Sequence, residues 1–210
     1  PQNVSDAGIT WPTWAVSRRT LNSALAASTT LRVPVRFAVM PNDNDRGHLW
    51  FWYAIAVVVL LLDQLTKTAI MRHFVYGDSL SISAYFNVVR VHNAGAAFSF
   101  LSDAGGWQRW ALSGLAALIS AVMVVWIARL SSQQWLERLA LALILGGALG
   151  NLWDRLTLGY VVDFLDFHWS ARHFPAFNVA DSAITIGAVL MLIDAWRTDD
   201  KGADDSDKRI

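Results

Sequence analysis

The stretch VVDFLDFHWSARHFPAFNVADSA, residues 161–183, sets three aspartates, two histidines and an asparagine between strongly apolar segments. An ionisable group in or against a bilayer costs several kcal/mol unless it is paired or hydrated, so its first reading is functional. Two of these acids, Asp163 and Asp181, are the candidate pair. Carboxylates brought within a few Å of each other do not both ionise readily, so one keeps a proton while the other stays charged. The charged member can take a proton from a water attacking a peptide carbonyl, and the protonated member can donate to the carbonyl oxygen. Such chemistry needs no metal and no cofactor, and its titration belongs to the pair.

Plainer readings stand beside this one. Asp163 would also serve as a loop residue solvated by headgroup water, and Asp181 as an acid favoured by the dipole at a helix start. Asp166 reads as a structural or solvated acid, Asp154 as an orienting partner of its neighbour Arg155, and Ser182 as helix-start chemistry. His92, His168 and His173 show no HExxH or comparable pairing, which disfavours a metallopeptidase. There is no GxSxG element for a serine mechanism. The sequence contains no cysteine, which removes thiolate nucleophiles, thiolate metal sites and disulfides together.

The elements that must position these groups look built for lipid. Of 210 residues, 54% are hydrophobic, and the mean hydropathy is +0.34, high for a domain with a polar surface. Acids and bases balance at 17 each without a basic stripe, so nucleic acid is not an expected partner. Four segments approach the roughly 20 apolar residues that cross a bilayer as helix: 49–70, 107–130, 135–153 and 179–197. Asp63, Gln64 and Lys67 interrupt the first. Trp50, Trp52, Trp107, Trp110, Trp126, Trp135, Trp153 and Trp196 fall near span ends, as in an aromatic belt. Basic residues divide seven to six between the two sides, a slight lean toward both termini being cytoplasmic.

Between the first two spans, YGDSLSISAYFNVVRVHNAGAAFSF has the β-branched and aromatic content of a small strand pair or cradle on the membrane surface, with Gly95 allowing a tight turn. By connectivity the third span rises, the loop 156–177 stays on one side, and the fourth span descends. Asp163 and Asp181 can therefore meet. The small residues GGALG at 146–150 would admit a closely packed helix, either a bundle neighbour or a substrate segment.

The motifs GNLWDRL, GYVVDFLDFHW and FPAFNVADSA, with DQLTK in the first span and NVVRVHNAGAAFSFL after it, resemble the bacterial lipoprotein (type II) signal peptidases. The likeness runs over about residues 48–197. It implies an all-α integral membrane protein, a four-transmembrane-helix bundle with a small β-cradle on the outer membrane surface. It implies an aspartic endopeptidase with Asp163 and Asp181 catalytic, and Asp63, Asn93, Asn151, Arg155 and Asn178 in substrate-binding or supporting roles. The implied partners are diacylglyceryl-modified prolipoproteins, cleaved just before the modified cysteine, together with membrane phospholipid and globomycin-type inhibitors. The implied location is the inner membrane, multi-pass, with the site toward the periplasm.

In this reading residues 1–45 form an N-terminal extension, with a start at Met40 in view. Residues 46–198 form the peptidase domain with its cradle at about 74–100, and residues 199–210 form a charged tail. Two other classes compete: a small transporter or proton relay using Asp63, Asp163 and Asp181 as ion sites, and a non-catalytic membrane scaffold. A relay would spread its acids across the membrane depth and commonly shows a repeat, which the sequence lacks.

Overall fold

The computed structural model describes residues 43–95 and 106–207. Most of the expected extension (residues 1–42) and the end of the expected cradle (residues 96–100) lie outside the described residues. The elements run α1 (Asp43–His73), β1 (Ser79–Ser83), β2 (Phe86–Asn93), α2 (Trp107–Arg129), α3 (Trp135–Thr157), β3 (Val161–Trp169), β4 (Arg172–His173) and α4 (Val179–Asp207). Among the described residues four helices are long and apolar enough to cross a membrane, over 49–73, 107–129, 135–157 and 179–197. These are the four segments expected from composition, but α1 and α3 run on past residues 70 and 153.

The extra turns persist because their ends are capped. The Arg90 guanidinium donates to the carbonyl oxygens of Met71 and Phe74 at 3.3 and 2.8 Å, closing α1. At the end of α3 the Asp154 carbonyl accepts from Leu158 and Gly159 N–H. Gly159 sits at φ 89°, a left-handed conformation that only glycine adopts without strain. Arg109 of α2 donates to the Arg155 and Leu156 carbonyls at 2.7 Å each.

α3 is the central helix, with α1, α2 and α4 packed around it. Its Ala140, Leu141, Ala142 and Leu145 are buried. A Cβ on Gly146 would lie 2.6 Å from the Ala56 carbonyl oxygen of α1, and one on Gly147 would meet the Ala180 carbonyl of α4. The small-residue stripe is thus filled by bundle neighbours, whose backbones approach to a distance that any side chain would prevent. Outward, α1 exposes Val57, Val58, Leu61, Leu62 and Leu65, and α4 exposes Ile186, Val189 and Leu192. Apolar surface of this extent suits hydrocarbon rather than water. Six of the eight belt tryptophans are exposed near helix ends, whereas Trp52 and Trp126 pack against the core.

The four strands form one antiparallel sheet in the order β1-β2-β3-β4. The sequence reading expects a loop over 156–177; the structure instead folds much of it into β3 and β4. VVDFLDFHW pairs with β2, setting Val91 opposite Asp163 and Asn93 opposite Val161. Cross-strand aromatics reinforce the ladder, Phe86 on Phe167 at 4.9 Å and Tyr85 on Trp169 at 5.3 Å. Phe177 then runs beside β3: its carbonyl accepts from Phe164 and Leu165 N–H, and its own N–H donates to the Leu165 carbonyl. That pairing delivers Asn178 to Asp163.

Candidate active site

The site lies where the C-terminal parts of α1 and α3, the N-terminus of α4 and strands β2 and β3 converge. α1 contributes Asp63, Gln64 and Lys67; the spacing of four sets Asp63 and Lys67 on one face. α3 contributes Asn151, Asp154 and Arg155 by the same periodicity. β3 contributes Asp163, β2 contributes Asn93, and Asn178 and Asp181 open α4. All seven residues singled out in the sequence meet here, joined by hydrogen bonds or by the through-space action of their charges.

Asp163 is buried, only 2% exposed. One carboxylate oxygen accepts from Asn178 Nδ2 at 2.7 Å and the other from Asn93 Nδ2 at 3.1 Å. Asn93 is aimed by its own turn, its Oδ1 accepting from Gly95 N–H at 3.1 Å. Burial, and after it the charge of Asp181, push the Asp163 carboxyl from its ordinary 3.8 up to about 7, outweighing the two amide hydrogen bonds that favour the charged form. Near neutral pH the protonated and charged forms of Asp163 are therefore both populated.

Asp181 is half-buried in the first turn of α4 and accepts from Asn151 Nδ2 at 2.7 Å. Asn178 joins the two acids. Its Oδ1 accepts the Asp181 backbone N–H at 2.9 Å, the N-cap bond of α4, while its Nδ2 donates to Asp163. Because one end of the amide is committed to the cap, the other must present N–H. Asp181 thus occupies the helix-start position the sequence suggested and also faces the second carboxylate through space.

Beneath the pair lies a cluster that the sequence reading missed. Lys67 Nζ lies 2.8 Å from Asp63 Oδ2 and 2.8 Å from Asp154 Oδ2, and donates to Asn151 Oδ1 at 3.0 Å. Lys67, Asp63 and Asp154 are essentially inaccessible to solvent. Asp63 Oδ1 also accepts the Ala180 N–H at 2.9 Å, a second cap on α4 reaching across from α1. The expectation for Asp154 is corrected here. Its bonds go to Lys67, to Gln64 Nε2 at 2.9 Å and to Val162 N–H at 3.2 Å, not to the Arg155 side chain, because adjacent helix residues point apart. The signal for Lys67 was its spacing of four from Asp63 inside an apolar span.

Arg155 Nη2 donates to the Gly95 carbonyl at 3.2 Å and Nη1 to the Asn151 carbonyl at 3.3 Å, and its charge acts on Asp181, Asp163 and Asp154. Asp166 is buried and structural rather than solvated, accepting from Asn87 Nδ2 at 2.9 Å and from His173 Nδ1 at 2.9 Å. Burial opposes its charge, yet these bonds hold its carboxyl below the usual range. His92 stacks between Tyr76 and Tyr160 at 4.4 and 3.9 Å, and His168 stacks on His173 at 5.0 Å. Ser182 donates its hydroxyl to the Asn178 carbonyl at 2.8 Å, as helix-start chemistry requires.

Residues 55–197 match a family model described as signal peptidase (SPase) II. The chain is similar to the lipoprotein signal peptidase of Shewanella halifaxensis (strain HAW-EB4), 50% identical over 165 residues that cover 78% of this chain and 96% of that protein. Its likeness to the lipoprotein signal peptidase of Ralstonia nicotianae (strain ATCC BAA-1114 / GMI1000) is 57% over 146 residues, 70% of this chain and 84% of that one. Among solved structures, a bacterial membrane enzyme determined by the in meso method at 2.3 Å resolution superposes with a TM-score of 0.64 at 32% identity, covering 70% of this chain and 88% of its own.

Proposed function

The chain belongs to the signal peptidase II family, a multi-pass membrane peptidase family, and we propose that it removes the signal peptide of prolipoproteins with Asp163 and Asp181 as its catalytic pair. The observation that supports this reading is the linkage of the two acids. They sit on separate elements, share Asn178 as a common partner, and one of them holds its proton to about pH 7.

In the proposed reaction Asp181 takes a proton from a water molecule whose oxygen attacks the scissile carbonyl carbon. Asp163 donates its proton to the carbonyl oxygen. As the C–N bond breaks, Asp181 gives the proton it took from water to the leaving amine, while Asp163 takes one from a hydroxyl of the tetrahedral intermediate as the new carboxyl forms, so the pair again shares one proton. Asn93 and Asn178 keep Asp163 aimed, Asn151 keeps Asp181 aimed, and Asp63 fixes the start of α4 from α1. Arg155, whose charge reaches both acids, is assigned to the substrate carbonyl or the lipid phosphate.

The substrates are prolipoproteins carrying a diacylglyceryl-modified cysteine, cleaved just before it. Acyl chains and signal helix would lie against the exposed apolar faces of the bundle, and globomycin-type cyclic peptides would occupy the same place. The location we assign is the bacterial inner membrane, with the sheet and the acids on the periplasmic side. The test is to make Asp163→Asn and Asp181→Asn separately and follow conversion of a prolipoprotein by gel mobility, with and without globomycin. Loss of conversion in both is expected; normal processing by either ends the assignment.

A further inference from the structure

The two acids of the pair are held by amides, and an amide holds a carboxylate only if its nitrogen faces it. For Asn178 the Asp181 N–H settles the orientation. For Asn151 something else must do so, since its side chain could rotate by half a turn at no covalent cost and present oxygen to Asp181 instead. Lys67 occupies that role. Its ammonium group has three N–H donors and no lone pair, and all three are committed: to Asp63 Oδ2, to Asp154 Oδ2 and to Asn151 Oδ1. Facing a group that can only donate, Asn151 must turn its oxygen toward Lys67, and its nitrogen then falls 2.7 Å from Asp181 Oδ1. Asn178 Nδ2, 3.4 Å from the same Asn151 oxygen, favours the same orientation.

We propose that Lys67 is a positioning residue for the hydrolysis, its buried ammonium fixing which way the Asn151 amide faces and so keeping an N–H aimed at Asp181. The two carboxylates flanking Lys67 have a corresponding purpose: they keep a full positive charge stable at a position with almost no solvent, and Gln64 and the Ala180 N–H complete their coordination. A buried cation here without them would be prohibitively unstable. The inference rests on the aspartate-pair reading above and names one residue more in the same reaction.

Removing Lys67 alone would strand two buried carboxylates, so the variant that isolates its role is Lys67→Met combined with Asp154→Asn, measured against Asp154→Asn alone. Asp63 keeps its backbone donor at the start of α4 in both. Full-length protein in detergent or liposomes would be assayed on a diacylglyceryl-modified prolipoprotein, with thermal melting followed in parallel. The expected result is a kcat roughly ten- to a hundredfold lower in the double variant at unchanged KM, the size of effect that misaiming a catalytic group produces. A kcat within twofold of Asp154→Asn alone, or a change in KM without a change in kcat, overturns the inference. If the double variant does not fold, Lys67→Gln on the same Asp154→Asn background decides: its amide, unlike an ammonium, can present oxygen as well as nitrogen to Asn151 and so no longer fixes which way that amide faces, so a kcat below that of Asp154→Asn alone is expected and an equal kcat overturns the proposal. Activity in Asp181→Asn would instead defeat the aspartate pair itself, whereas an inactive Asp181→Asn beside an undisturbed Lys67 double variant would defeat only the role of Lys67.

Discussion

Replacing Asp163 by asparagine removes one proton-binding site, and the structure fixes how that must change stability with pH. Folding raises the Asp163 carboxyl from 3.8 to about 7, first through burial and then through the charge of Asp181. Between those values the folded protein holds a proton that the unfolded chain has released, so stability falls as pH rises through this window. At 1.36 kcal/mol per pKa unit the whole effect is about 4 kcal/mol, of which about 3 falls between pH 5 and pH 8. The Asp163→Asn variant has no carboxyl to titrate there and escapes the loss. It carries a constant penalty of about 1–3 kcal/mol instead, because the Asn93 and Asn178 amides both point N–H groups at a side chain that now has one acceptor oxygen. The gap between variant and wild type should therefore move by about 3 kcal/mol in favour of the variant from pH 5 to pH 8, or roughly 6–12 °C in Tm for a chain of this size. Intrinsic fluorescence of the 11 tryptophans, followed during heating in detergent at the two pH values, reads it directly. A difference in melting temperature that stays constant within about 2 °C would refute the argument, since it would mean that Asp163 titrates as an ordinary exposed acid.

In the proposed reaction Asp163 is the proton donor and must be protonated, so kcat should fall about tenfold per pH unit well above pH 7, measured with a prolipoprotein substrate, and a limb beginning above pH 9 would assign the donor elsewhere. Gly147→Ala should lower the melting temperature, because the added Cβ meets the Ala180 carbonyl of α4 and forces apart two backbones that support the pair; overpacking of this kind costs about 1–3 kcal/mol, and an unchanged Tm would show that α4 shifts freely.

Much of this molecule is written locally. The four spans were legible because crossing a bilayer depends on about 20 consecutive side chains averaged together, and no distant contact alters that sum. The tryptophans at helix ends and the strand pair before α2 were legible for the same reason. Residue types also narrowed the chemistry: without cysteine, and without a metal or serine motif, paired aspartates stood as one reading beside a proton relay and a scaffold, and the likeness of the motifs singled out Asp163 and Asp181. The likeness of the motifs then carried Asp63, Asn93, Asn151, Arg155 and Asn178 into the same site.

What the sequence did not reveal depends on partners far along the chain. Asn93 meets Asp163 across 70 residues, and Ala180 meets Asp63 across 117. VVDFLDFHW looked like a loop because its alternation is short and its partner strand precedes it by a whole pair of helices. Lys67 looked like one more basic residue at a span end, and Asp154 like the partner of its neighbour. Asp63 reaches Lys67 within α1, and only packing α1 against α3 sets Asp154 on its other side and so pairs this buried cation with two acids. Composition decides that these helices enter the membrane, whereas the direction in which each polar group points, and with it the burial that raises the Asp163 carboxyl, is decided by the neighbours that the tertiary fold supplies.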